Sequence, residues 1–229
     1  MKRQTETKSL TPVQIEEKSF EIITSELEGT DIVINETVSV RDIYPPAESE
    51  RILQVIKRCI HTTADFDYAR TMWFSESAIE KFDALIDRGA VIVTDTNMAL
   101  AGINKKALSE HMCKAVCFMA DADVAEEAAR RQVTRAHVSM ERAMLLTEPV
   151  IYVIGNAPTA LIKLREVYEE GKYIPEFVIG VPVGFVNVEH AKELIRQTNI
   201  PCILNMGRKG GSNVAAAVVN AMLYTVYRR

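Results

Sequence analysis

The sequence predicts an α/β protein of three layers, α/β/α, with a mainly parallel sheet of about five strands, and three observations carry that expectation. First, the runs Val91-Ile-Val-Thr94, Val150-Ile-Tyr-Val-Ile154, Phe177-Val-Ile179 and Cys202-Ile-Leu204 are apolar on both faces, as suits a sheet covered by helices on both sides. Second, these runs alternate with helical sequence, the order that builds parallel sheets. Third, the last three strands run directly into loops of Gly, small polar residues and Pro and then into helices: Gly155-Asn-Ala-Pro-Thr159, Gly180-Val-Pro-Val-Gly184 and Asn205-Met-Gly-Arg-Lys-Gly-Gly-Ser212. Such loops gather at the carboxyl ends of parallel strands, where backbone N–H groups and helix N-termini can meet an anionic ligand.

The elements follow in order. Thr11, Pro12 and Gln14 read as an N-cap, a proline at the first helical position and a capping box, opening a helix through Ile15, Ser19, Ile22 and Leu27. Pro45-Pro46 precedes a second helix whose apolar residues Ile52, Val55, Ile56, Cys59 and Ile60 recur at helical period until about His61. A third helix spans roughly Ser75 to Arg88 and closes at Gly89; strands follow at 91–94 and at Ala115-Val-Cys-Phe-Met119. The charged, Ala-rich stretch from Asp123 to Leu146 reads as one or two helices, with a break near Thr134. The remaining helices are expected near Ala157 to Glu170, Val188 to Gln197 and Val214 to Tyr227. Residues 1–10 are polar and without periodicity and read as a disordered tail, leaving 11–229 as a single domain.

At 229 residues and 48% hydrophobic, the chain can bury a sizeable core in one unit. A net charge of -4 argues against a whole-surface nucleic-acid footprint, so any anion site must be local. Cys59, Cys113, Cys117 and Cys202 form no C-x-x-C pair and lie in apolar segments, which favours reduced, buried thiols and a cytoplasmic location. The amino terminus lacks the apolar stretch of a signal peptide, and no run has the length and apolarity of a bilayer span.

The second helix is the most telling. At about 100° per residue, His61 falls nearly opposite the apolar stripe and Arg58 lies about 60° from it, so the two share a face that is not the core. Two readings fit that face: a solvated helix end, where a cation also complements the macrodipole, or one wall of a ligand site, with Thr62, Thr63 and Asp65 behind it. His111, His137 and His190 have no partner at zinc-ligand spacing and read as surface or satisfied histidines, so no protein-held metal is expected. Of the arginines at 130, 131, 135 and 142, most read as i,i+4 surface pairs; Arg135 has the fewest acidic neighbours. The 207–212 loop lacks Walker spacing, the 154–158 stretch is no G-x-G-x-x-G, and there is no G-x-S-x-G elbow. What remains is a glycine-lined, cation-bearing pocket without a phosphate loop or covalent nucleophile.

Taken together, Ile15-Glu-Glu-Lys-Ser-Phe20, Arg58-Cys-Ile-His61, Asp95-Thr-Asn-Met98 with Gly102, Val153-Ile-Gly-Asn-Ala-Pro-Thr-Ala-Leu161, Gly180-Val-Pro-Val-Gly-Phe-Val186 and Gly207-Arg-Lys-Gly-Gly-Ser212 resemble the precorrin-8X methylmutase family, in its order and from about residue 12 to the carboxyl terminus. The resemblance implies an isomerase of cobalamin synthesis that shifts a methyl group from C11 to C12 of a corrin precursor, giving hydrogenobyrinate or its cobalt form. It implies no cofactor, because an intramolecular shift needs no redox partner, methyl donor or nucleophile. A corrinoid tetrapyrrole is then the substrate and product, a homodimer the expected assembly, and neither nucleic acid nor membrane a partner.

Carried over by position, the resemblance implies His61 as acid and base and Ser19 and Arg58 as substrate contacts. Arg58 and Arg135 are expected to pair with peripheral carboxylates, for which a guanidinium fork is well shaped. Thr96, Asn156, Thr159, Gly184, Lys209, Gly210, Gly211 and Ser212 complete the implied substrate-binding set. Two departures stand out. Glu16 occupies a position where some relatives carry an aromatic residue, and Lys209 stands in the glycine loop where an uncharged residue can occur. A tetrapyrrole carrier that binds without converting is the competing reading, and an anion-binding phosphotransferase a weaker one.

Overall fold

The computed structural model describes residues 10–28, 33–34, 38–39 and 45–226. The expected tail therefore lies outside the described residues except for Leu10, as does Tyr227 at the end of the last helix. The first helix, α1 (Pro12–Leu27), carries the expected capping box: Gln14 N–H donates to Thr11 Oγ1 at 3.3 Å, and Thr11 N–H donates to Gln14 Oε1 at 3.0 Å. Two short strands, β1 (Val33–Ile34) and β2 (Val38–Ser39), pair antiparallel in a sheet of their own. Then come α2 (Pro46–Thr63), α3 (Tyr68–Thr71), β3 (Met72–Phe74), α4 (Ala78–Asp87) and β4 (Val91–Thr94). They are followed by α5 (Asn97–Gly102), α6 (Lys105–Glu110), β5 (Lys114–Val116), α7 (Ala122–Arg131) and α8 (Arg135–Ala143). The last third is β6 (Val150–Ile154), α9 (Pro158–Glu169), β7 (Phe177–Gly180), α10 (Val188–Arg196), β8 (Cys202–Asn205) and α11 (Ser212–Val226). The break expected near Thr134 is a helix start, with Thr134 Oγ1 accepting the His137 N–H.

The main sheet runs β3-β8-β7-β6-β4-β5, and every neighbouring pair is parallel except β3 with β8. The sequence foresaw the five parallel strands. It missed β3, an edge strand of three residues that is too short to show alternation. Strand β5 also stops at Val116 rather than Met119. Thr94 Oγ1 donates to the Val116 carbonyl at 3.3 Å, and β4, the only partner of β5 among the described residues, ends there.

Successive strand residues point into two cores. Ile92, Ile151, Val153, Phe177, Ile179 and Ile203 join α2, α4, α5, α6 and α11 on one face, while Val93, Tyr152, Ile154, Val178, Cys202 and Leu204 join α8, α9 and α10 on the other. The strands are apolar throughout because both faces are covered. The apolar run of α11 is spent inside the chain: Val214 to Val219 and Ala221 to Leu223 are buried. Among the described residues no helix is long and apolar enough to cross a membrane.

This topology fixes where a ligand can bind. From β4 the chain crosses to β5 through α5 and α6 on the first face; from β6 it crosses to β7 through α9 on the second, in the opposite direction along the sheet. The reversal lies between β4 and β6, and open α/β sheets bind ligands outside the strand ends at such a switch point. Directly beyond β6, Gly155 packs against α11: an added Cβ would meet Ser212 Cα at 2.8 Å and both Ala215 Cβ and the Gly211 carbonyl at 3.0 Å. Gly155→Ala is therefore expected to push α11 from the strand end and destabilise the fold by about 1–3 kcal/mol, the usual range for overpacking. Urea midpoints at constant m-value check this, and an unshifted midpoint would mean the contact yields without cost.

Candidate active site

Asp95, fully buried just past β4, reaches across the switch point to the loop after β6. Its Oδ1 accepts the Gly155 N–H at 2.8 Å, and its Oδ2 accepts those of Asn156 and Ala157 at 2.8 and 2.6 Å. These are the donors that β6 leaves unpaired where it enters α9. Burial raises the Asp95 pKa above the usual carboxylate value, and the three backbone donors pull against that rise. The sequence displayed Asp95 in its motif without assigning it a task; nothing in the local pattern says that its carboxylate is spent on a loop 60 residues away.

One residue on, Thr96 caps α5 by accepting the Ala99 N–H at 3.1 Å, and its hydroxyl lies 2.7 Å from that of Ser212 at the start of α11. These two predicted site residues are thus brought together, one strand end from Gly155.

His61 and Arg58 share the polar face of α2, as the spacing required, while Ile52, Val55, Ile56, Cys59 and Ile60 are buried beneath it. The helix is anchored at its other end by Arg51, which holds buried Asp83 of α4 at 2.5 and 2.8 Å and donates to Thr225 of α11 at 3.0 Å. His61 stacks on Phe20 of α1, with ring centroids 5.2 Å apart and planes at 22°. The Arg58 guanidinium lies 4.6 Å from the centre of the same Phe20 ring and 5.5 Å from that of Tyr224, and ion-pairs with Glu16 at 2.5 Å. Phe20 thus contacts both the imidazole and the guanidinium, a role the sequence did not reveal although the residue closes the first motif. Ser19 beside it donates to the Ile15 carbonyl of its own helix at 2.8 Å.

Two cavities meet here. One, about 370 Å³, is bordered by His61, Arg58, Thr62, Met98 and Asn213; the other, about 900 Å³, runs between α1, α2 and α11 past Glu16, Phe20 and Asn104. Arg58 and Tyr224 border both. Together they are on the scale that large ligands need.

The glycine loop 206–211 is held from three sides. Lys209 Nζ contacts Asp65 and Asp67, each at 2.5 Å, so its charge is already answered within the chain. Asn205 Nδ2 donates to the Lys209 carbonyl at 2.9 Å. From beneath, Lys192 of α10 donates to the carbonyls of Gly207 at 2.7 Å and Lys209 at 2.9 Å. The Gly184 N–H donates to the Arg208 carbonyl at 3.1 Å and the Gly211 N–H to the Val181 carbonyl at 2.9 Å, joining this loop to the one after β7. Gly210 approaches that second loop so closely, at a φ of +152°, that a Cβ there would stand 2.0 Å from the Val181 carbonyl oxygen.

The remaining predicted residues belong to the opposite helical layer. Arg135 is exposed at the first position of α8, Thr159 bonds Thr134 at 2.9 Å across the starts of α9 and α8, and the Asn156 side chain is exposed. Of the whole predicted set, only His61 and Arg58 border the cavities around Arg58. Lys192 is the residue that sequence reasoning should have found. It lies at 0% exposure in register with Val188, Ala191 and Ile195, so a lysine stands on the apolar stripe of its helix.

Burial pushes the Lys192 amine down to about 7, against an ordinary 10.5. Because this folded value is depressed, the unfolded chain binds the extra proton between those two limits, and stability rises with pH across that window. Urea unfolding at pH 6.5 and pH 9 is expected to show a gain in the wild type that Lys192→Met lacks. Equal pH responses in the two proteins would contradict the shift.

Comparison with known proteins accords with this geometry. The family model described as precorrin-8X methylmutase matches residues 14–225. The cobalt-precorrin-8 methylmutase of Priestia megaterium is 41% identical over 220 residues, covering 95% of this chain and 91% of that one. The enzyme of the same name from Salmonella typhimurium is 40% identical, covering 93% and 95%. The crystal structure of the precorrin-8x methyl mutase from Thermus thermophilus superposes with a TM-score of 0.77 at 32% identity, covering 93% of this chain and 96% of that one. With the match running from the capping box of α1 into the last turns of α11, this chain belongs to the precorrin-8X methylmutase family.

Proposed function

We propose that this chain moves a methyl group from C11 to C12 of precorrin-8X or cobalt-precorrin-8, yielding hydrogenobyrinate or cobyrinate in cobalamin biosynthesis, with His61 as the acid and base. The observation that carries the reading is His61 lining a cavity that shares Arg58 and Tyr224 with a larger one, ring-stacked on Phe20 and one helical turn from Arg58. The names of the Priestia and Salmonella relatives favour the cobalt-bearing substrate, in which the metal arrives within the macrocycle. The shift breaks the C11–methyl bond and forms the C12–methyl bond within one molecule. An imidazole, titrating near neutrality, can lend the macrocycle a proton while its charge redistributes and then take it back.

Arg58 is the principal carboxylate receptor in this reading. Glu16 supplies a carboxylate to it in the free protein, and a substrate acetate or propionate would replace Glu16 between the Phe20 and Tyr224 rings. Thr96, Ser212 and the backbone of Gly184, Gly210 and Gly211 line the strand-end side, with Ser19 on α1. Asn156, Thr159 and Arg135 would meet the far edge of the macrocycle from the other helical layer. Lys209 contributes through its tie to Asp65 and Asp67, which links the glycine loop to the segment after His61.

A carrier needs no proton donor, so His61 separates the two readings. His61→Ala is expected to fold normally, since the ring is exposed, and to bind product, while turnover falls by about 10² to 10⁴. His61→Asn is expected to fail nearly as badly. In the same titrations Arg58→Ala is expected to weaken binding by roughly 1.5–3 kcal/mol, and Lys to restore only part of it. Wild-type turnover in both His61 variants would reject the proton-transfer role.

The reading also includes a cytoplasmic homodimer. Ile15 and Ile22 lie on one side of α1 and are at least half exposed, and only Ile23 and Leu27 of that helix are buried, which leaves Ile15 and Ile22 for a second copy. Sedimentation velocity at micromolar concentration is expected to give twice the chain mass, and a monomer throughout would reject the assembly.

A further inference from the structure

We infer that Lys192 is a positioning residue for substrate binding: from beneath the glycine loop it turns the peptide units 207–208 and 209–210 so that the N–H groups of Arg208 and Gly210 face outward to receive a substrate carboxylate. The inference rests on the reading above that the strand ends grip a polycarboxylate macrocycle.

The argument begins with covalent geometry. In a trans peptide the carbonyl of one residue and the N–H of the next point in opposite directions, and the described chain has no cis peptide. Lys192 Nζ takes the carbonyl oxygens of Gly207 and Lys209, so the N–H groups of Arg208 and Gly210 must point away from α10. Neither N–H has a protein acceptor among the described residues. Two N–H groups that point the same way two residues apart in a glycine-rich turn can meet one anion. Adjoining this loop are the start of α11, whose first turn also leaves N–H groups unpaired, and Gly184, which holds the Arg208 carbonyl.

The cost of this arrangement argues that it serves the ligand. Lys192 is wholly buried and meets no carboxylate at ion-pair distance in the described structure, so beyond a longer-range attraction to Glu189 its amine has the two carbonyls to offset desolvation. An apolar residue on the same stripe would pack α10 without that penalty. The loop also has other fastenings, through Asn205, Lys209 and the Val181 carbonyl. Asn205 shares the Lys209 carbonyl, so what Lys192 adds is its hold on the Gly207 carbonyl and the coupling of the two through one amine. Its Nζ has hydrogens to donate in both the charged and the neutral form, so the grip survives titration.

The test is Lys192→Met, which keeps the length of the side chain and removes the donors. Binding is measured by absorption titration with hydrogenobyrinate and with its primary amide form, in which the carboxylates are neutral. Affinity for the carboxylate form is expected to fall about tenfold and that for the amide form to stay within about twofold, with KM rising and kcat held within about threefold. A merely structural role would weaken both ligands alike, and that result, or an unchanged carboxylate affinity, would overturn the inference. A wild-type protein that binds the two ligands equally would instead overturn the underlying reading of the strand ends, and the inference with it. Should the Met variant fail to fold by near-ultraviolet circular dichroism, Lys192→Gln, shorter and polar, is measured in the same way against the same outcomes.

Discussion

The structure turns on one buried carboxylate. At a topological switch point two neighbouring parallel strands send their chains to opposite faces of the sheet, and the gap between them is where an open α/β fold is weakest and most useful. In this protein Asp95 fills part of that gap by accepting three successive N–H groups from residues 155–157. An unpaired N–H buried at a strand end costs about 1–3 kcal/mol, and a carboxylate with two oxygens can answer several at once. The arrangement fixes the loop after β6 against the loop after β4 before any ligand arrives, and Thr96 with Ser212 extends it to the start of α11.

From that fixed centre the two halves of the site are held by different means. The glycine loop after β8 is fastened by hydrogen bonds from below and by the Lys209 ion pairs at its side. The ion pairs are exposed and would stabilise little by themselves. Their effect is geometric, since they tie residues 65–67, just past the His61 helix, to the loop that faces the strand ends. The loops after β7 and β8 then lock through Gly184, Val181 and Gly210, whose near-contact leaves no room for a side chain.

The end of the candidate site that carries His61 and Arg58 is less rigidly built. Helix α1 buries only Ile23 and Leu27 and otherwise lies on the surface, yet it delivers Phe20 to both His61 and Arg58. The stacked ring occupies a face of the imidazole and neither of its nitrogens. Arg58 meets an aromatic face on each side and a carboxylate at its edge, an environment that suits a weakly hydrated planar cation.

Much of this was legible in the sequence because local periodicity carries it. The apolar runs identified the five parallel strands, the Thr11-Pro12-Gln14 pattern set the start of α1, and the spacing of Arg58 and His61 put them on one outward face of α2. Those features depend on residues a few positions apart. The strand β3 was not legible, since three residues give no period and its place is decided by pairing with β8. Nor did the sequence tell that Asp95 is spent on Gly155 or Lys209 on Asp65 and Asp67, because those partners lie 60, 144 and 142 residues apart. Arg135 and Arg58 look alike as sequence candidates, yet they stand on opposite helical layers. Lys192 is the intermediate case: its place on an apolar stripe could be read, but the carbonyls it holds could not. The sequence by itself determined which segments become strand or helix and which faces turn inward, because propensity and period act locally. Only the tertiary structure decided which polar groups answer one another, because that follows from strand order and from the need to satisfy donors and acceptors that folding brings together.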